Sequence, residues 1–290
     1  MTPPKRHLVS DHPVNPEAQL AYWTKQLEGA PITLQLPGDG AASQHPVVSG
    51  ASLPFLIPSA LANDLKVLSR QHGVTLFMML LTVFKILLYS YSGQTDIVVG
   101  TNVANRTRSE SEKLIGFFIN LLVLRTDMSG APSFGELLSR VREVTLQALA
   151  HQDLPFEKLI SELKLDREHN QTPLVRAVVQ LQSAPRVSLE LPGLTEEFLE
   201  VGTETVPFDL VLNVLEKEDG LAVTWLYNAG VFDARTISGM VSRFDLLLKE
   251  LIARPDLSLD EIVATLKQAE KQHFKNTRQM KLRNVQLHRV

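Results

Sequence analysis

The segment 76–91 constrains the fold of this chain more than any other. Its residues are apolar on nearly all sides of a helix, Thr75 precedes it as a helix cap and Gly93 follows it as a stop signal. A helix with an apolar surface all round must be buried, so the sequence predicts a core with other elements packed around this helix. The most apolar stretch, 75–88, is interrupted by Lys85 and is too short to span a bilayer as a helix.

Strand patterns and helix patterns mix along the rest of the chain. Strands are predicted at 49–57, 96–103, 118–125, 174–181, 208–215 and 221–227, and the last two are joined by a hairpin signal at 217–220. Helices are predicted at 16–28, 58–73, 134–150 and 234–253, with shorter ones opened by Pro155 and capped by Ser258. The strands and helices do not alternate strictly as βαβ units. Their order predicts an α/β chain of the α+β type, with a mixed β-sheet and flanking helices.

The long helix predicted at 134–150 is amphipathic. Its candidate packing positions are Leu137, Leu138, Val141, Val144, Leu146 and Leu149. We therefore expect these side chains to face the core.

Composition narrows the class of partner. The chain has 290 residues, of which 44% are hydrophobic and 21% charged, which is enough for a sizeable core. A formal net charge of -3 gives no electrostatic reason to expect nucleic acid or an anionic membrane as the main partner. The absence of cysteine excludes a disulfide framework, a thiolate metal site and a cysteine nucleophile, and favours a cytoplasmic location.

Three regions are expected. Residues 1–15 are rich in Pro, His and charge, lack the apolar core of a signal peptide and are predicted to be disordered. Residues 16–265 are predicted to fold as one lobe, and residues 266–290 to form a basic tail or linker. No pattern in the chain predicts a metal site.

Three short motifs follow one another in the middle of the chain. They read Ile-Gly-Phe-Phe-Ile-Asn at 115–120, His-Gln-Asp-Leu-Pro-Phe-Glu at 151–157 and Arg-Glu-His-Asn-Gln-Thr-Pro-Leu at 167–174. Earlier runs are the pair Tyr22-Trp23 and the segment 98–106. In this order the motifs resemble the second half of the condensation domain of nonribosomal peptide synthetases, from about residue 17 to residue 262. The third is a loose copy of the family's R-D-x-S-R-N-P-L.

This resemblance implies a fold and a reaction. Condensation domains are pseudo-dimers of two chloramphenicol-acetyltransferase-like lobes with a tunnel between them, so the chain is expected to form one such lobe. Peptidyl carrier proteins enter the tunnel from opposite faces and present acyl groups on phosphopantetheine arms, and the amine of one group attacks the thioester of the other. The implied partners are carrier proteins and an N-terminal lobe or synthetase subunit, and no cofactor is bound directly. A latch to the other lobe is expected in 182–205 or the neighbouring hairpin.

The family's catalytic residue is the second histidine of an H-H-x-x-x-D-G motif in the first lobe. No two histidines are adjacent in this chain. The resemblance therefore implies no catalytic residue here, and the chain alone is expected to be inactive unless a first lobe joins it. An alternative is a noncatalytic docking module for a carrier protein or synthetase subunit, which would also self-associate through an exposed apolar face. A further alternative is an independent acyltransferase that uses His151.

Under the resemblance, Gly116, Asn120, His151 and Asp153 belong to the substrate channel or lobe interface. A base and carboxylate pair of His151 and Asp153 is disfavoured, because residues two apart on a helix end do not face one another. Asp153 is instead predicted to cap the helix that Pro155 opens, and His151 to pack or hydrogen-bond at the end of the preceding helix. Asn120 either hydrogen-bonds a substrate or bridges the lobes at the tunnel, or it is a satisfied asparagine on a buried strand. Gly116 is predicted to allow close approach or a positive φ.

The remaining motif residues are assigned structural roles. They are Pro155, Phe156, Glu157, Arg167 and Pro173. Arg106 and Arg125 are candidates for contact with a carrier's phosphate or acidic helix, but a solvated charge or a structural ion pair is favoured for both.

Overall fold

The computed structural model describes residues 15–31, 33–36, 49–105, 114–116, 118–164, 174–182, 206–269 and 271–272. Several predictions fall outside these residues. They concern the N-terminus up to residue 14, Arg106, Arg167, Pro173, the segment 183–205 and the tail from 273 onward.

The described residues form strands and helices that agree closely with the predicted ones. The strands are β1 (Gly50–Pro58), β2 (Asp96–Val103), β3 (Asn120–Asp127), β4 (Ala177–Gln182), β5 (Leu210–Lys217) and β6 (Gly220–Asn228). The helices are α1 (Pro16–Leu27), α2 (Ser59–Gln71), α3 (Leu76–Ser92), α4 (Phe134–Ala150), α5 (Phe156–Glu162), α6 (Ala234–Ala253) and α7 (259–269). The largest shift is at β4, which begins three residues later than predicted.

The strands form one six-stranded mixed sheet in the order β1-β6-β5-β4-β2-β3. Strands β2, β4 and β5 are parallel, whereas β1 with β6, β5 with β6 and β2 with β3 pair antiparallel. The predicted hairpin is confirmed, since β5 turns into β6 with Lys217 opposite Gly220. Because the three parallel strands run the same way, their carboxyl ends meet at one edge of the sheet.

Helix α3 is buried as predicted, without a break from Met78 to Leu88. Beside it, the indole of Trp225 on β6 packs against two phenylalanines. Its ring centroid lies 5.9 Å from that of Phe84 on α3 and 5.5 Å from that of Phe244 on α6. These aromatic contacts join the helix layer to the sheet.

The ammonium group of Lys85 lies inside this core. Its Nζ donates to the carbonyl oxygen of Leu124 and to Oγ1 of Thr126, each at 2.6 Å, and reaches the carbonyl oxygen of Ile97 at 3.5 Å. Burial lowers the pKa of Lys85 to about 7, against a smaller raising effect of Asp96. The single charge of α3 thus joins that helix to β2 and β3.

The helix caps predicted at Thr75, Asp233 and Ser258 are confirmed. The last of these opens α7, which places Leu266 in the core at 2% exposure. Helix α7 therefore continues past residue 265.

The packing face of α4 differs from the predicted one. Leu137, Leu138 and Val141 are buried as expected, but Leu146 and Leu149 are 40% and 38% exposed. The buried face continues instead through Thr145 and Ala148, which follow Val141 at helical spacing. The two leucines are displaced from that face, and the prediction for them was wrong.

Candidate functional site

Asn120 at the start of β3 joins the first motif to the second. Its Nδ2 donates to the carbonyl oxygens of Gln152 at 2.8 Å and Leu154 at 2.9 Å. Its Oδ1 accepts from the backbone N–H of Phe156 and of Leu121, each at 3.0 Å. The side chain is 7% exposed and both of its donors and both of its lone pairs are used. Of the two alternatives for Asn120, the structure agrees with the second, an asparagine whose hydrogen-bonding groups are all satisfied within the fold.

His151 closes α4 and packs against α1. Its Nδ1 lies 2.8 Å from the carbonyl oxygen of Gln147, and its ring stacks on that of Tyr22 with centroids 3.9 Å apart and planes at 10°. Its carbonyl oxygen accepts from the indole N–H of Trp23 at 2.8 Å. Because a carbonyl oxygen only accepts, Nδ1 carries a proton in this contact. The prediction that His151 packs and hydrogen-bonds at a helix end is confirmed.

The prediction for Asp153 was wrong. The N-cap residue of α5 is Pro155, and no side chain of its own segment caps this helix. The N–H of Phe156 is bound by the amide oxygen of Asn120 from the neighbouring strand. A partner distant in sequence therefore takes the place that local spacing assigned to Asp153.

The other motif residues near this turn divide into buried and exposed ones. Phe156 is 8% exposed and anchors α5, while Pro155 and Glu157 face outward. Glu157 lies in the first turn of α5, where a negative charge is favourable. Gly116 does not have a positive φ, but a Cβ there would come within 3.1 Å of the Phe118 ring.

Arg125 on β3 makes a structural ion pair, as favoured from the sequence. It binds the carboxylate of Asp96 through Nε and Nη2, at 2.8 to 3.1 Å. Its Nη1 donates to the carbonyl oxygens of Gln26 and Glu28 at the end of α1. Together with His151, this arginine fastens α1 to the sheet and to the end of α4.

A crevice of about 790 Å³ opens at the edge where the parallel strands end. We call it the strand-end crevice. Its walls are the first turn of α3 (75–78), the end of β2 with Ala104, the end of β4 and the face of α4 that carries Leu146 and Leu149. Leu122 and Leu124 of β3 are also among its lining residues. Sequence reasoning missed this crevice, although two leucines out of phase with the buried face of α4 were a signal for it.

Apart from a second cavity of about 800 Å³ between α1, Leu163 and Leu174, the described residues offer little else that would define a site. No group of three His, Cys, Asp or Glu side chains there is arranged to hold a metal ion. None of the described helices is by itself long and apolar enough to cross a membrane, and only α2 and α3 together, bent by 101°, reach that length and composition.

Comparisons with known proteins agree with the motifs. The family model for the condensation domain matches residues 14–274. A linear gramicidin synthase chain of Brevibacillus parabrevis is 46% identical over 83% of this chain, and malpibaldin synthetase of Mortierella alpina is 40% identical over 81%. The chain spans 5% and 4% of the lengths of these two relatives.

Solved structures show the same fold. The X-domain from teicoplanin biosynthesis superposes with a TM-score of 0.79 at 25% identity, over 86% of this chain and 57% of that one. The first condensation domain of the calcium-dependent antibiotic synthetase, in complex with a substrate analogue, superposes with a TM-score of 0.71 at 22% identity, over 84% of this chain and 53% of that one. The mixed sheet with its helices is thus a chloramphenicol-acetyltransferase-like fold, as predicted. The chain belongs to the condensation domain family, and its relatives are nonribosomal peptide synthetases.

Proposed function

We propose that this chain is the second lobe of a condensation domain and supports amide-bond formation between carrier-tethered acyl and aminoacyl groups. The observation that carries the proposal is the coverage: 86% of this chain superposes on only 57% of a solved X-domain. Asn120 of the first motif and the whole second motif lie among the described residues. In the reaction, the amine nitrogen bonds to the thioester carbonyl carbon, the carbon–sulfur bond breaks, the thiol leaves and the amine loses a proton. This role makes peptidyl carrier proteins the expected partners and the cytoplasm the expected location.

The lobe's part in this reaction is to position and enclose the reactants. Asn120 has no free hydrogen-bonding group, and His151 uses Nδ1 on its own helix. The chain has no paired histidines. We infer that the proton is handled by a first lobe supplied by another chain or segment, and that closure of the two lobes keeps water from the thioester.

The proposal is tested by a condensation assay with two loaded carrier proteins, run with this chain alone and with a first lobe that carries the paired histidines. Amide product only in the mixture is the expected result. Product from this chain alone would contradict the proposal, because it would require a catalytic group within these 290 residues.

His151→Ala should leave the rate of the reconstituted assay within about threefold of the unsubstituted chain, since general acid or base catalysis is worth about a hundredfold or more. The loss of stacking on Tyr22 should lower the free energy of unfolding by about 1 kcal/mol. Product formation and thermal unfolding measure the two effects. A hundredfold loss of rate in a variant that folds normally would instead make His151 a catalytic residue.

A docking module is the second candidate function. It is favoured by the exposed apolar residues beside Asn120: Leu114 is 55% exposed, Ile119 is 53% exposed and Ile115 is fully exposed. Under this alternative a loaded carrier protein would bind the chain, but no first lobe would restore product.

A further inference from the structure

The strand-end crevice has the size and position of a small-molecule site. Its volume of about 790 Å³ lies within the range of ligand pockets and is too small to hold a folded domain. Ligands of open α/β sheets characteristically bind outside the carboxyl ends of parallel strands, where this crevice lies.

The walls of the crevice offer apolar contact and no free charge among the described residues. Lys66 and Glu216 line it, but their side chains form an ion pair with each other. The hydroxyl of Thr75 accepts from the N–H of Met78 at 3.2 Å, and that of Thr145 donates to the carbonyl oxygen of Val141 at 2.7 Å. The amide side chains of Asn102, Gln180 and Gln182 also line the crevice but carry no charge. A charged ligand group would therefore lose hydration there without meeting an unpaired opposite charge among the described residues.

Two leucines present their side chains to this space. Leu146 and Leu149 stand three residues apart on α4, so they lie on one face of the helix. They are 40% and 38% exposed, whereas Leu122 and Leu124 across the crevice are 1% and 0% exposed. An apolar group bound in the crevice would cover both exposed leucines. Burial of that apolar surface would contribute favourable binding free energy.

We propose that the strand-end crevice receives the apolar part of the carrier-tethered substrate, and that Leu146 and Leu149 are specificity residues that favour apolar over charged acyl groups. This inference rests on the proposed function, because it assigns a substrate class to the same lobe. The apolar group is the side chain of an aminoacyl unit or a fatty acyl chain, since both offer the crevice the same chemistry.

The test is direct binding to this chain alone, which needs no catalysis. The probes are N-acetylcysteamine thioesters of N-acetyl-leucine, octanoate and N-acetyl-glutamate, and binding is followed by NMR titration. We expect at least one apolar probe to bind about tenfold more tightly than the glutamyl probe, and Leu149→Gln and Leu146→Gln each to weaken that binding by about tenfold. The leucyl and octanoyl arms distinguish the two sources of an apolar group.

Leu56→Gln is the matched control, because Leu56 is 47% exposed on β1 and does not line the crevice. It should leave binding unchanged, and circular dichroism should show all variants folded. Equal binding of apolar and glutamyl probes, or binding that Leu149→Gln does not weaken, overturns the inference. So does a dimer of this chain that Leu149→Gln dissociates in sedimentation, since a second copy would then cover the crevice.

The two proposals fail in different ways. Amide product in the reconstituted assay without any preference among probes would contradict the specificity inference and leave the second-lobe function standing. Selective probe binding without product in the mixture would contradict the second-lobe function and keep the apolar site.

Discussion

Asn120→Asp is expected to lower the free energy of unfolding by about 3 kcal/mol or more, although the two side chains have nearly the same shape. An aspartate keeps the oxygen that accepts from the N–H of Leu121 and of Phe156. It loses both donors, and its second oxygen then faces the carbonyl oxygens of Gln152 and Leu154 at hydrogen-bond distance. A buried carboxylate opposite two acceptors is repelled and poorly solvated, so β3 and the turn before α5 should separate.

Denaturant unfolding of the two proteins measures this effect. Asn102→Asp is the matched control, because the substitution changes the charge in the same way at an exposed position. Asn102 lies on β2 directly opposite Leu121. We expect the control to stay within about 0.5 kcal/mol of the unsubstituted chain. If the two variants lose the same free energy of unfolding, then the added charge, and not the loss of the hydrogen bonds of Asn120, causes the destabilisation.

Lys85→Met is expected to remove most of the dependence of stability on pH between pH 7 and pH 9. The pKa of Lys85 is about 7 in the folded chain and has the ordinary lysine value of 10.5 when unfolded. Between these values the unfolded chain binds more protons, so the free energy of unfolding rises with pH, by at most about 1.4 kcal/mol per pH unit. The unsubstituted chain should therefore gain about 2 kcal/mol from pH 7 to pH 9, and below pH 7 the contribution to the slope fades.

Urea unfolding at pH 6, 7, 8 and 9 tests this expectation. Lys158→Met is the control, because Lys158 is exposed on α5 and should leave the slope unchanged. If Lys85→Met keeps the slope of the unsubstituted chain, then the ammonium is not desolvated in the core as the structure has it.

The contacts of the motif residues separate structural roles from chemical ones. Asn120, His151 and Trp23 hold α1, β3 and the turn between α4 and α5 together, through bonds that leave Asn120 no group for a substrate. Asn120 of the first motif and His151 of the second are thus parts of the frame of the fold. The strand-end crevice, for which we propose a ligand, is lined by helix faces and strand ends outside the second motif.

Local patterns predicted the elements of this fold well because each pattern has a local physical cause. Thr75, Asp233 and Ser258 cap the helices they were expected to cap, since a cap bond joins residues only three apart. The apolar surface of α3 required burial whatever surrounded it. The alternation in β1 and the hairpin before Gly220 likewise depend on neighbours in the sequence.

Predictions went wrong where distant partners compete with local ones. Asp153 was expected to cap α5, but the amide of Asn120 reaches that turn from another strand. Leu146 and Leu149 were expected to pack in the core, yet the face of α4 that meets β3 continues through Thr145 and Ala148.

The sequence by itself determined the helices, the strands, the family and the absence of paired histidines. Tertiary structure alone decided which hydrogen bonds satisfy Asn120, why Lys85 loses its proton easily and where an apolar crevice opens. The physical reason is that secondary structure follows from periodicity and caps within a few residues. Desolvation and the shape of a cavity depend on side chains that only the folded chain brings together.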